Sequence, residues 1–156
     1  MFKKRIKVKF MWQRIEKERR VAEHLFYVSL KYTKTCDVIL NLISRWQGMI
    51  EGCIDAMLEK AKKKKMVTKI PIAPRAKVNV LLEVLKKENM VIKTLQLYLF
   101  FKIIPKLEYT KEAEFRKGVA LNVTNKGRII SINMDKLKEW QELLERFLSF
   151  VKHFIK

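Results

Sequence analysis

The residues best suited to acid–base chemistry are two histidines, His24 and His153, each preceded by arginine. Arg19 and His24 have four residues between them, and Arg20 and His24 are four apart and share a helix face. Arg146 and His153 have six residues between them and align along a helix. In ribonuclease chemistry a histidine acts as general acid or base while an arginine stabilises the developing phosphorane charge. In a chain this rich in arginine such neighbours also arise by chance, and His153 falls on a turn expected to fray. The remaining inventory is thin, with three Asp, four Ser and two Cys, and no HExxH, GxGxxG, Walker or GxSxG pattern. Cys36 and Cys53 lack partner spacing and sit in an apolar repeat, so they read as core residues of a reducing compartment. No metal and no cofactor is expected.

The charge carries more information. The 156 residues hold 35 Lys+Arg against 16 Asp+Glu, a formal +19, and 49% of them are hydrophobic. Residues 59 to 77 have eight Lys/Arg against one Glu, and residues 1 to 20 have nine against two, a local +7 in each case. Clusters of this density form an electrostatic footprint for a polyanion. The contact residues expected are Lys3, Lys4, Arg5, Lys7 and Lys9 with Lys62, Lys63, Lys64, Lys65, Lys69 and Arg75. The plainer alternative is that they are solvated faces of a lysine-rich protein. Of the aromatic residues, Trp12, Tyr27 and Tyr109 are free to stack bases, whereas Trp46, Trp140, Phe147 and Phe154 fall on core seams.

Composition bounds the setting. The apolar content excludes a disordered basic tail, four Gly and three Pro exclude a linker-like chain, and two Cys exclude a disulfide scaffold. One domain spanning residues 1–156 is expected, able to bury roughly 70% of its unfolded surface. The opening residues lack the apolar run of a signal peptide, and no stretch approaches the about 18 apolar residues of a membrane span, so a cytoplasmic protein is expected. Charged residues make up 33% of the chain while Gln and Cys are scarce, which suggests a thermophile; the twofold cationic excess is not explained that way.

The pattern predicts a mainly α protein: a helical bundle of five to six helices with one small β-hairpin before the last helix. Residues 1–11 form a basic arm or a short strand with Ile6, Val8 and Phe10 on one face, and Met11 is an alternative start to Met1. A first helix runs from about 12 to 33 on Ile15, Ala22, Leu25, Val28 and Tyr32. The second, about 36 to 64 with Thr35 as N-cap, carries the heptad seam Ile39, Ile43, Trp46, Ile50, Cys53, Met57. Its two interior glycines, Gly48 and Gly52, should cost roughly 2 kcal/mol relative to Ala, so another backbone is expected close by. Pro74 starts a third helix to about 88, burying Val78, Leu81, Leu82 and Leu85. A fourth, about 90 to 104, is apolar nearly all round and is expected to be the most buried. A short helix from Thr110 to Lys117 completes the 12–117 bundle. Val119, Leu121 and Val123, the Asn125-Lys126-Gly127 turn, and Ile130, Ile132 and Met134 make a hairpin over 118–134. Asp135 caps a last helix over 135–156 with the seam Leu137, Trp140, Leu144, Phe147, Val151, Phe154.

This order of elements is similar to that of the HEPN domains, helical bundles of archaea and bacteria. The likeness spans about residues 12 to 117 and rests on the early pair of long helices, with Arg45-Trp46-Gln47-Gly48-Met49-Ile50-Glu51-Gly52, and on the Glu108-Tyr109 pair. The resemblance implies either a metal-independent ribonuclease that dimerises around an Arg-x4-6-His motif, or a non-catalytic member that binds nucleotides, RNA or a partner protein. Leu95 to Tyr109, where that motif belongs, has no His; only Arg146 and His153 on the last helix could take the role.

The expected function is non-catalytic, backbone-directed binding of RNA or DNA by a homodimer formed through a helix seam. A HEPN-like ribonuclease and an interaction module for an acidic protein or an anionic membrane surface are the alternatives. The ribonuclease reading predicts RNA cleavage in EDTA that is lost in His153→Ala or Arg146→Ala; cleavage undiminished in both variants excludes these residues.

Overall fold

The computed structural model describes residues 2–156, with side chains from Lys7 onward. Phe2–His24 forms α1, so the basic start expected as an arm or strand is helical instead. In a helix residues two apart point to opposite sides, so Val8 packs onto the core while Phe10 is exposed, and the shared face expected for them is lost. A π-helical turn, Leu25–Ser29, joins α1 to the short α2, Leu30–Tyr32. Within it the Leu30 N–H donates to the Leu25 carbonyl, a five-residue step in place of four. That extra residue moves the inward position from Val28 to Leu30, which is fully buried, and turns Val28, Tyr27 and Tyr32 to solvent. The expected inward places for Val28 and Tyr32 fail for this reason.

The next helix, α3 (Cys36–Lys63), is the centre of the fold. Thr35 caps it as predicted, its hydroxyl accepting the Val38 N–H at 3.3 Å, and all six seam residues are buried. The α3 seam is therefore consumed within the chain. The glycines are explained by α1, which packs along α3. A Cβ on Gly52 would lie 3.0 Å from Cγ1 of the fully buried Ile15, and one on Gly48 would lie 3.7 Å from Cδ of Glu18. The close neighbour at Gly52 is a branched side chain seated in the notch, where backbone was expected.

α4 (Pro74–Val84) begins on Pro74 and buries Val78 and Leu81, with Leu85 just beyond its end. α5 (Asn89–Ile103) places Val91, Leu95, Tyr98 and Phe101 on the core. Contrary to expectation it is less buried than α3, because α1, α4 and α6 cover α3 on several sides. Phe101 lies between Trp46, at 6.0 Å with near-parallel rings, and Trp140, at 5.3 Å edge to face. A 3-10 turn, Ile104–Lys106, carries Pro105.

The expected short helix over 110–117 is replaced by a strand, β1 (Glu108–Glu112), and a loop. Every residue of β1 is exposed, so no alternation of burial marked it in the sequence. β2 (Ala120–Asn125) and β3 (Arg128–Asn133) form the predicted hairpin, and the sheet is an antiparallel meander, β1-β2-β3. Leu121 faces Ile132 and Val123 faces Ile130, and the turn holds Lys126 and Gly127 at φ 52° and 77°. β3 passes directly into α6 (Met134–Phe154), capped by Asn133, which accepts the Lys136 N–H at 2.8 Å, rather than by Asp135. Arg19 ties α1 to α6 by pairing with Glu16, Glu23 and Glu145. Burial opposes its charge, but Glu145, Glu23 and Glu16 hold its pKa above the ordinary value.

Both cysteines are free and buried, and burial raises the pKa of both thiols, with Glu114 adding to the effect at Cys36. Among the described residues no helix is long and apolar enough to cross a membrane, and no three His, Cys, Asp or Glu side chains group to hold a metal ion.

The Ile15 notch yields a paired test. Gly48→Ala should raise the unfolding free energy by about 0.5–1 kcal/mol, the helix-propensity gain. Gly52→Ala should lower it instead, since overpacking costs about 1–3 kcal/mol. Urea unfolding of the two variants checks this, and equal effects would contradict the packing described.

Candidate functional site

The C-terminal ends of α3 and α6 meet beside the first turns of α1, leaving an open groove of about 680 Å³ between them. Among the described residues its walls carry six lysines from three separate stretches of chain: Lys7; Lys60, Lys62, Lys63 and Lys65; and Lys156. Val8 and Ile155 form its apolar part, and Glu59 is the acid that lines it among the described residues. The Lys60 ammonium donates to the Lys156 carbonyl at 2.6 Å, and Lys64 lies over the Phe154 ring at 5.3 Å. These contacts fix the two helix ends to each other.

Helix C-termini attract cations, so part of this charge has a structural use. Each terminus carries roughly half a negative charge. Two termini and Glu59, which pairs with Lys7 at 3.0 Å, still leave an excess of several positive charges around one concavity. The crowding is felt at Lys60, whose pKa is lowered by desolvation and then by Lys63 and Lys64. An anion in the groove would relieve that repulsion.

The end of α3 shows the same preference for cations over stability. The Met66 N–H donates to the Ala61 carbonyl and the Lys65 N–H to the Lys62 carbonyl, the pairing of a Schellman motif, whose C′ residue is usually glycine. That residue is Lys65, at φ 60°. A side chain in the left-handed region costs roughly 1–2 kcal/mol, more than the about 0.3–1 kcal/mol that a cation at a helix C-terminus returns.

The predicted contact residues divide. Lys7 and Lys62, Lys63 and Lys65 line the groove, and Lys64 sits at its edge over Phe154. Lys9 is exposed on α1, while Lys69 and Arg75 are exposed on the loop after α3 and at the start of α4, outside the groove lining. The side chains of Lys3, Lys4 and Arg5 lie outside those described. Lys60 and Lys156 join the groove without having been among the expected contacts. The signals for them are the i, i+3 spacing of Lys60 and Lys63 and the return of the last helix to the end of the second.

The arginine–histidine pairs occupy other ground. Arg19 is engaged by three glutamates, and Arg20 and His24 are exposed. Arg146 lines a second surface groove, between α5 and α6, with Lys93, Trp140 and Glu139; His153 is exposed two turns further along and does not line it.

Among the aromatics, Trp12 is packed against the core and is not free to stack, while Tyr27 and Tyr109 are exposed. Two others stand out further, Tyr32 at 77% and Phe115 at 76% exposure. Phe115 also has φ 67°, an outlier for a bulky residue. Strain of this kind costs about 1–3 kcal/mol, and an exposed Phe forgoes about 1.5–3 kcal/mol of burial.

Comparison of the chain with protein-family models, with curated proteins and with solved structures gives no match.

The strain at Lys65 predicts that Lys65→Gly raises stability by about 1 kcal/mol. Lys65→Ala removes the same charge and keeps the strain, so it should gain clearly less in the same urea titration. Equal gains would assign the effect to charge repulsion alone.

Proposed function

We propose that this protein binds nucleic acid through its phosphate backbone, with the groove between the ends of α3, α6 and α1 as the contact surface. The observation that carries the reading is the gathering of Lys7, Lys60, Lys62, Lys63, Lys65 and Lys156 from three separate stretches onto one concavity. The two helix C-termini account for part of this convergence, and the number of lysines exceeds what two half-charges and Glu59 balance.

Lysine is suited to this task as a point charge on a flexible stem, which follows a phosphate without demanding a fixed geometry. Contacts of this type position a strand and carry no sequence information directly. The binding free energy comes from release of condensed counterions, so it weakens steeply with salt. Lys65, held in a strained conformation at the groove wall, fits a residue kept for its charge.

If about six phosphates are neutralised, log K on duplex DNA should fall with log salt at a slope of about −5. The Lys62→Ala/Lys63→Ala/Lys65→Ala protein should show a slope shallower by about 3, one for each phosphate that is no longer neutralised. Lys87→Ala/Lys138→Ala, on exposed positions away from the groove, should leave the slope unchanged. Fluorescence anisotropy over a salt series measures all three. Equal weakening in both variants would mean that the whole surface, and not the groove, holds the ligand.

A further inference from the structure

We propose that the exposed rings of Tyr32 and Phe115 form a second contact site, a stacking surface for unpaired bases of a single-stranded nucleic acid. The inference rests on the nucleic-acid reading of the groove and adds the strand state of the ligand. The two residues come from distant parts of the chain, and a backbone contact brings their segments to one junction. The Phe115 N–H donates to the Lys34 carbonyl at 2.6 Å, and Lys34 follows Tyr32 by two residues.

The junction is built firmly. Glu114 accepts the Cys36 N–H at 3.3 Å, Lys111 pairs with Asp37 at 3.4 Å and with Glu114 at 3.8 Å, and the loop closes on itself through Arg116 to Ala113 and Val119 to Arg116. The same segment holds Phe115 in solvent, in a backbone conformation that phenylalanine rarely adopts. On the other side, the π-helical turn, with its single extra residue, rotates Tyr32 outward and buries Leu30 instead.

Charge at the junction selects the occupant. Among its acids, Asp37 and Glu114 share Lys111, and Glu112, still charged, accepts from the Asn122 amide at 2.9 Å. Lys31, Lys34, Arg116 and Lys117 have no carboxylate partner among the described residues. Unpaired cations beside exposed aromatic rings match a strand whose bases are free to stack and whose phosphates need neutralising. A duplex presents no free base faces. The length of α3, about 40 Å at 1.5 Å per residue, separates this junction from the groove, so the two sites can be disabled independently.

The test compares a single-stranded oligo(dT) of about 20 nucleotides with a duplex of the same length, at low salt, by fluorescence anisotropy. Tyr32→Ala and Phe115→Ala should each weaken single-strand binding by about tenfold and change duplex binding by less than about twofold. Phe115→Tyr should retain affinity, while Phe115→Leu, apolar but not aromatic, should lose it. Because both rings are exposed, the variants should melt with the parent protein. Unchanged single-strand affinity in the ring variants, alongside weakening in the Lys62/Lys63/Lys65 variant, overturns this site and leaves the groove standing. Full affinity in both sets overturns the groove reading itself. If the ring variants alter sedimentation and leave single-strand affinity unchanged, the rings seat a second copy of the chain, and the proposal is wrong.

Discussion

The fold depends on how closely α1 can lie along α3, and that closeness is set where Ile15 enters the notch at Gly52. Glycine at this position forgoes about 1 kcal/mol of helix propensity; the return is a fully buried Ile15 and an antiparallel pair of long helices. Everything at the two ends of the molecule follows from this pairing. At one end it carries Lys7 to Glu59 and closes the lysine groove. At the other it delivers the π-helical turn and Tyr32 to the loop that holds Phe115.

The rest of the core locks the pair. Trp46 on α3 stacks on Phe101 of α5, which meets Trp140 of α6 edge to face, and Arg19 joins α1 to α6 through Glu145. The sheet contributes Leu121, Val123 and Ile132 to the same core and feeds straight into α6 through the Asn133 cap. α6 therefore cannot shift without moving the hairpin. Since Ile155 and Lys156 line the groove, the position of one wall is decided by a strand at the far end of that helix.

Much of the architecture was legible because burial imposes a period. The seams of α3 and α6 repeat at three and four residues and are buried where the spacing places them, apart from the half-buried Phe154. The hairpin was legible from Val123 opposite Ile130 and from the Lys126-Gly127 turn. What escaped has no apolar signal. β1 is exposed throughout, and a single π step at Leu25–Leu30 reverses the facing of Val28 and Tyr32 without changing any residue's hydrophobicity. At the N-terminus the alternation of Lys and apolar residues is a strand pattern, and the helix that forms there leaves Phe10 exposed. The two cationic clusters were visible as composition; their meeting across α1 and α3, and the addition of Lys156, depend on tertiary packing. Lys69 and Arg75 belonged to the cluster by sequence and fall outside the groove in space. The strain at Lys65 and Phe115 is a property of φ and has no trace in residue type.

Lysine footprinting tests the central claim most directly: acetylation of the free protein and of its complex with nucleic acid at low salt, read residue by residue by mass spectrometry. Binding through the groove predicts protection concentrated at Lys7, Lys60, Lys62, Lys63, Lys65 and Lys156, with Lys87 and Lys138 modified equally in both states. Protection spread evenly over the exposed lysines, or absent from the groove, would contradict it.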